Sequence, residues 1–108
     1  MPVNGKNKGA NYERHIAGLL REYGYDTRRG YVFYHEPDVV GLPGLHLELK
    51  KREKMELYKW LEQSTRDAKS DEIPIVIHAK NHCDSLVSLR LSDFMTIYRE
   101  WEAGRNDR

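Results

Sequence analysis

The chain is nearly free of cysteine and of long apolar runs, and each lack narrows its chemistry. Cys83 is the single cysteine in 108 residues, so no internal disulfide can form, as suits a reducing compartment. No apolar stretch approaches the ~18–20 residues that cross a bilayer. The amino-terminal MPVNGKNKGANYER lacks the apolar core of a secretory signal, which predicts a cytoplasmic protein with no membrane partner. There is no internal repeat and no low-complexity segment, and 108 residues suit one domain around one core.

Known motifs are missing as well. Neither a Walker A loop nor GxGxxG occurs, which argues against a nucleotide-driven motor. His78, His82 and Cys83 lack a second Cys pair and any CxxC spacing, so a zinc site is not expected. Cys83 has no nucleophile-elbow context or adjacent base, which argues against a thiol hydrolase. A net charge of one sign is lacking too, the balance being +1. The positive charges are nevertheless grouped, at Lys6 and Lys8, Arg28 and Arg29, and Lys50, Lys51, Arg52 and Lys54. Such groups can neutralise phosphates, although a solvated surface explains any one of them alone.

What is present reads as an ordered series of elements. Residues 1–9 are polar and basic and predict a flexible arm, leaving 10–108 as a single domain. Ile16, Leu19, Leu20 and Tyr23 recur at helical spacing, with Gly9 or Asn11 to cap the start and Gly24 to stop the helix. Tyr25–Tyr34 is rich in aromatic and β-branched residues and predicts a strand. Val39 and Val40 predict a short strand, and Gly41-Leu42-Pro43-Gly44 a type II turn, with Pro fixing one φ and Gly accepting a positive one.

In LHLELK, Leu45, Leu47 and Leu49 alternate with His46, Glu48 and Lys50, so one face is buried and the other polar. A helix is predicted over 55–69, turning Leu57, Trp60, Leu61, Ser64 and Ala68 inward. Ile73–Ala79 predicts a strand covered on both faces, with Pro74 near its beginning. Leu86–Leu91 predicts another strand, and Ser92 the cap of a last helix bearing Phe94, Ile97, Tyr98 and Trp101. The order is α-β-β-β-α-β-β-α: a mixed central sheet flanked by helices.

Within PDVVGLPGLHLELK the hairpin brings Asp38 and Glu48 together. Two neighbouring carboxylates repel and need a compensating cation. Mg²⁺ takes hard oxygen ligands and is usually held by one or two carboxylates plus substrate phosphate. Lys50, beside Glu48, can stabilise developing negative charge or orient an attacking water. A metal, two acids and a lysine suit hydrolysis of a phosphodiester.

Pro37-Asp38 followed by Glu48-Leu49-Lys50 resembles the PD-(D/E)xK nuclease signature. A helix with Glu13 in GANYERHIAGLL and a later helix bearing Gln63 extend the likeness to the small VRR-NUC and Holliday-junction-resolvase-like branch, over roughly residues 9 to 80. The resemblance implies a restriction-endonuclease-like fold and metal binding by Asp38, Glu48, the Leu49 carbonyl and Glu13. It also implies catalytic roles for Lys50, for Glu13 beside Asp38 and Glu48, and for the helix glutamine Gln63. The tyrosine that often stands four residues after that glutamine is Asp67 here.

The expected activity is Mg²⁺-dependent cleavage of DNA, Mn²⁺ substituting, on branched or junction substrates, in a bacterial or phage setting. Lys6, Lys8, Arg28, Arg29, Lys51, Arg52 and Lys54 are the expected DNA-binding residues, contacting backbone rather than bases. A homodimer is expected, with Tyr98 and Trp101 as its interface. Trimming or nicking of linear or single-stranded DNA, and a non-catalytic DNA-binding module, remain open alternatives. Tyr31, Phe33 and Tyr34 are expected in the core, with base stacking as their alternative. His46 shares the polar strand face with Glu48; a structural or solvated role is expected, with contact to the site as its alternative.

Overall fold

The computed structural model describes residues 5–106, with side chains from Lys8 onward. Helix α1 spans Gly5–Glu22, so it begins before the start expected at Gly9 or Asn11 and takes in residues 5–9 of the expected arm. Its buried stripe is Tyr12, Ile16 and Ala17, with Leu20 at the margin. Leu19 and Tyr23, which the periodicity also pointed inward, are exposed. Tyr12 takes the anchoring place because its hydroxyl reaches Ser85 Oγ at 2.8 Å while its ring stays in the core.

Among the described residues, five strands follow the order β1-β2-β3-β4-β5: β1 Arg28–Arg29, β2 Val39–Val40, β3 Leu45–Lys51, β4 Ile73–Ala79 and β5 Leu86–Ser88. Only β3 and β4 run parallel, and helix α2, Leu57–Asp67, makes the crossover that parallel strands need. Helix α3 spans Leu91–Asn106. The mixed sheet with three helices is compatible with the restriction-endonuclease-like fold implied by the resemblance.

The two faces of β3 have different fates. Leu47 and Leu49 join Val39, Ile75, Ile77, Tyr12 and Ile16 in the core beneath α1. The alternate positions face α2. There Ser64 donates to the carbonyls of His46 and Ile75, and the rings of Trp60 and His78 lie 6.0 Å apart. Period two thus gives one apolar face and one face of buried polar groups. The turn between β2 and β3 is as expected: the Leu45 amide donates to the Leu42 carbonyl at 3.1 Å, and Gly44 takes φ +91°.

The predicted strand over Tyr25–Tyr34 is corrected. Only Arg28 and Arg29 pair, and Val32–Tyr34 form a 3₁₀ turn closed by Tyr34 N–H on Tyr31 O at 3.1 Å. Gly30 is the reason. A Cβ there would collide with the Pro37 carbonyl, so the chain crosses Pro37 closely and then leaves the sheet. Tyr31, Phe33 and Tyr34 are therefore not core. Phe33 is 86% exposed, and the rings pack edge to face on one another, with centroids 6.1 and 5.3 Å apart.

The strand predicted over Leu86–Leu91 stops at Ser88, and α3 has begun by Leu91. Ser92 is thus inside the helix rather than its cap, and Asp93 accepts from Arg90 Nε at 2.8 Å. No residue of α3 is buried. No helix among the described residues is long and apolar enough to cross a membrane.

Candidate active site

The hairpin and the first crossover assemble the acidic group. Val39 is registered on Leu47, which sets the preceding Asp38 alongside Glu48. The Asp38 amide donates to Leu47 O at 3.1 Å, and its carbonyl accepts from Gly30 N–H at 3.0 Å, so its backbone is held between two strands. Its carboxylate is held too, with Oδ2 accepting the Leu49 amide at 2.8 Å.

Glu48 is 6% exposed. Burial pushes its carboxyl up to about 8, the charge of Asp38 adds to the shift, and Lys50 partly offsets it. Lys50 Nζ stands 3.8 Å from Glu48 Oε1. Glu13 reaches the same neighbourhood from α1, and its carboxyl is raised first by burial and then by the charge of Asp38. Gln63, from α2, lines a cleft of about 340 Å³ together with Asp38 and Glu48.

The structure thus brings Glu13, Asp38, Glu48, Lys50 and Gln63 together, with Leu49 between the acid and the lysine. The neighbouring carboxylates of Glu13, Asp38 and Glu48 form a hard-oxygen donor set suited to a divalent cation.

The basic residues divide. Arg28 is engaged by Glu36 through a two-pronged ion pair at 3.1 and 3.0 Å and lies 4.4 Å from the centre of the Tyr31 ring. Arg29 turns inward, its Nη2 reaching Glu13 Oε1 at 3.4 Å, and its buried Nε has no hydrogen-bond partner among the described residues. Lys8 and Lys51 line an open cavity with His15 and Asn81, and Lys51 Nζ lies 5.8 Å from the centre of the Tyr12 ring. Arg52 is exposed, and Lys54 pairs loosely with Glu56 at 3.8 Å. The side chain of Lys6 lies outside the described residues.

Two further residues lie beside this group: His46, for which contact with the site is the alternative reading, and Asp67, for which no site role is expected. His46 is buried rather than solvated, 4% exposed, with Nδ1 3.7 Å from Glu72 Oε1. Asp67 ends α2 and lines the same cleft. Both carried a readable signal: His46 precedes Glu48 by two on the polar face of β3, and Asp67 follows Gln63 by one helical turn.

Acid, acid and lysine on a short hairpin, in a mixed sheet with helices on both faces, are the arrangement of the PD-(D/E)xK nucleases. Residues 4–106 match the family model described as "Phage putative PDDEXK endonuclease", and the chain belongs to that family of nucleases. No curated protein and no solved structure matches the chain. The match supports the superfamily; the VRR-NUC branch rests on the motif resemblance alone.

Proposed function

We propose that the protein is a Mg²⁺-dependent endodeoxyribonuclease, Mn²⁺ substituting, which hydrolyses DNA phosphodiesters at branches or junctions. The observation that carries this reading is the crowding of Asp38, Glu48 and Glu13, with Lys50 3.8 Å from Glu48.

Asp38, Glu48, Glu13 and the Leu49 carbonyl would hold the ion. Once bound there, Mg²⁺ supplies positive charge for the phosphate and acidifies water in its shell. Lys50 carries the remaining electrostatic work. Its ammonium stabilises the negative charge that grows on the non-bridging oxygens and orients the attacking water. As that water's oxygen bonds to phosphorus, one water proton must leave, and the departing alkoxide must gain one as its bond to phosphorus breaks. The Leu49 amide fixes Asp38 in one rotamer, and Gln63 offers the cleft a neutral donor and acceptor.

Lys6, Lys8, Lys51, Arg52 and Lys54 supply backbone contacts that carry no sequence information. Arg28 and Arg29, each facing an acid, join them once phosphate competes for their guanidiniums. A homodimer fits the aromatic row on α3, where Tyr98 and Trp101 lie 5.6 Å apart with both rings accessible. A second reading, trimming of single-stranded or flapped DNA, is favoured by the exposed Tyr31, Phe33 and Tyr34, since unpaired bases stack on such rings.

The test is cleavage of a labelled panel of four-way junction, flap, linear duplex and single strand, with Mg²⁺, Mn²⁺ or EDTA. Native protein is compared with Glu48→Ala. Metal-dependent cuts that the variant loses support the enzyme, and the best substrate chooses between the two readings. Tight binding without a cut under either metal leaves a DNA-binding module.

A further inference from the structure

Beside the cleft, His46, Glu48 and Asp67 each offer one ligand atom, and these atoms all lie within 4.8 Å of one another. Atoms sharing a small divalent ion at ~2.1 Å lie about 3 to 4.2 Å apart, the longer value only for a trans pair, so a contraction of up to about 1.5 Å would close the group. The necessary slack is present. Asp67 is exposed on the last residue of α2, while His46 and Glu48 are fixed by burial on β3.

A second feature points the same way. Glu72 Oε1 stands 3.7 Å from His46 Nδ1, longer than a hydrogen bond, and a small approach would make the carboxylate–histidine pairing that orients an imidazole toward a metal through its other nitrogen. The cleft lined by His46, Glu48, Gln63 and Asp67 supplies an entry path.

We propose that His46, Glu48 and Asp67 form a second divalent-cation site, next to the one at Asp38, that takes a borderline ion such as Mn²⁺ or Zn²⁺ in preference to Mg²⁺. One imidazole nitrogen with two carboxylates suits these ions, whereas Mg²⁺ favours oxygen alone. Glu48 has two oxygens and stands between Asp38 and Asp67, so it serves both ions as a bridge. The site rests on the nuclease reading only through this shared glutamate.

The test is Mn²⁺ binding to the metal-free full chain by calorimetry, with electron spin-echo spectroscopy of the bound ion. The native protein should bind two Mn²⁺ per chain and show ¹⁴N modulation from an imidazole. His46→Gln and Asp67→Asn should each bind one, and His46→Gln should lose the modulation. Asp67→Asn alters an exposed residue, so its result does not depend on how the core tolerates change at His46. Asp38→Asn should also bind one, with the modulation kept.

One equivalent in the native protein, unchanged in both His46→Gln and Asp67→Asn but lost in Asp38→Asn, would overturn the second site and leave the Asp38 reading standing. One equivalent lost in His46→Gln and Asp67→Asn but kept in Asp38→Asn would support this site and overturn Asp38 as a metal ligand.

Discussion

The backbone amide of Leu49 donates a 2.8 Å hydrogen bond to Oδ2 of Asp38. That bond joins the two arms of the hairpin at the point where the acids meet. It also ties a ligand candidate to the chain segment that carries its partner, so anything that shifts Asp38 shifts the whole acidic group.

Gly30 provides the most direct way to shift it. A Cβ at this position meets the Pro37 carbonyl, and Gly30 N–H already bonds Asp38 O at 3.0 Å. Gly30→Ala should destabilise the fold by about 1–3 kcal/mol through overpacking. Mn²⁺ affinity should drop with it, although no ligand has been changed. Thermal melting and calorimetry check the two effects separately.

The apo protein should lose stability as pH rises. Glu48 is pushed up to about 8 from an unfolded value near 4.5. The folded chain therefore keeps a proton that the unfolded chain has released across that window. Unfolding free energy should fall between about pH 4.5 and 8, with a slope of at most ~1.4 kcal/mol per pH unit from this group, and level off above. Glu48→Gln should remove that component of the slope. Denaturant melts at a series of pH values, without metal, give the measurement.

Much of this site was legible in the sequence, for a physical reason. A Pro-Gly turn and a strict period-two strand leave little freedom in register, so Asp38, Glu48 and Lys50 could be placed from local rules alone. The stretch after Arg29 was not legible. Its aromatics favour strands only where they find a surface to pack on, and the close approach of Gly30 to Pro37 is a long-range fact that composition does not carry. The inward turn of Arg29 onto Glu13 was hidden in the same way, because it depends on how α1 crosses the sheet. Leu91, read as the end of a strand, is helical because β5 closes after three residues and Arg90 and Asp93 support the first turn of α3.

The Arg28–Glu36 pair should act as a clamp on the aromatic turn. Glu36 accepts both Arg28 prongs and also the Tyr31 amide at 2.8 Å, and Arg28 holds its carboxyl below the usual range. Arg28→Ala should speed hydrogen exchange at Tyr31 while leaving the amides of β3 and β4 unchanged. Acidification through the Glu36 carboxyl should have the same local effect, since a depressed carboxylate contributes order that is lost as it protonates. Exchange read by NMR checks both.

Phe33 should matter to DNA and not to the fold. Its ring is largely exposed, so Phe33→Ala should leave the melting temperature within about a degree, in line with the small effect of surface changes. If unpaired bases stack on the turn, affinity for a single strand should fall by ~1–3 kcal/mol, about 5- to 150-fold, while affinity for blunt duplex is little altered. Fluorescence anisotropy on the two substrates gives the comparison.

The acids and Lys50 are proposed to form a metal-dependent phosphodiesterase centre. The most direct measurement is the single-turnover rate on the best-cut DNA with saturating Mg²⁺, for the native protein and Lys50→Ala, with Mg²⁺ binding followed in parallel. The rate in Lys50→Ala should be lowered by about 10²–10³-fold, with Mg²⁺ binding retained and no cleavage by either protein in EDTA. Cleavage that persists in EDTA, or a Lys50→Ala rate equal to the native one, would contradict this assignment.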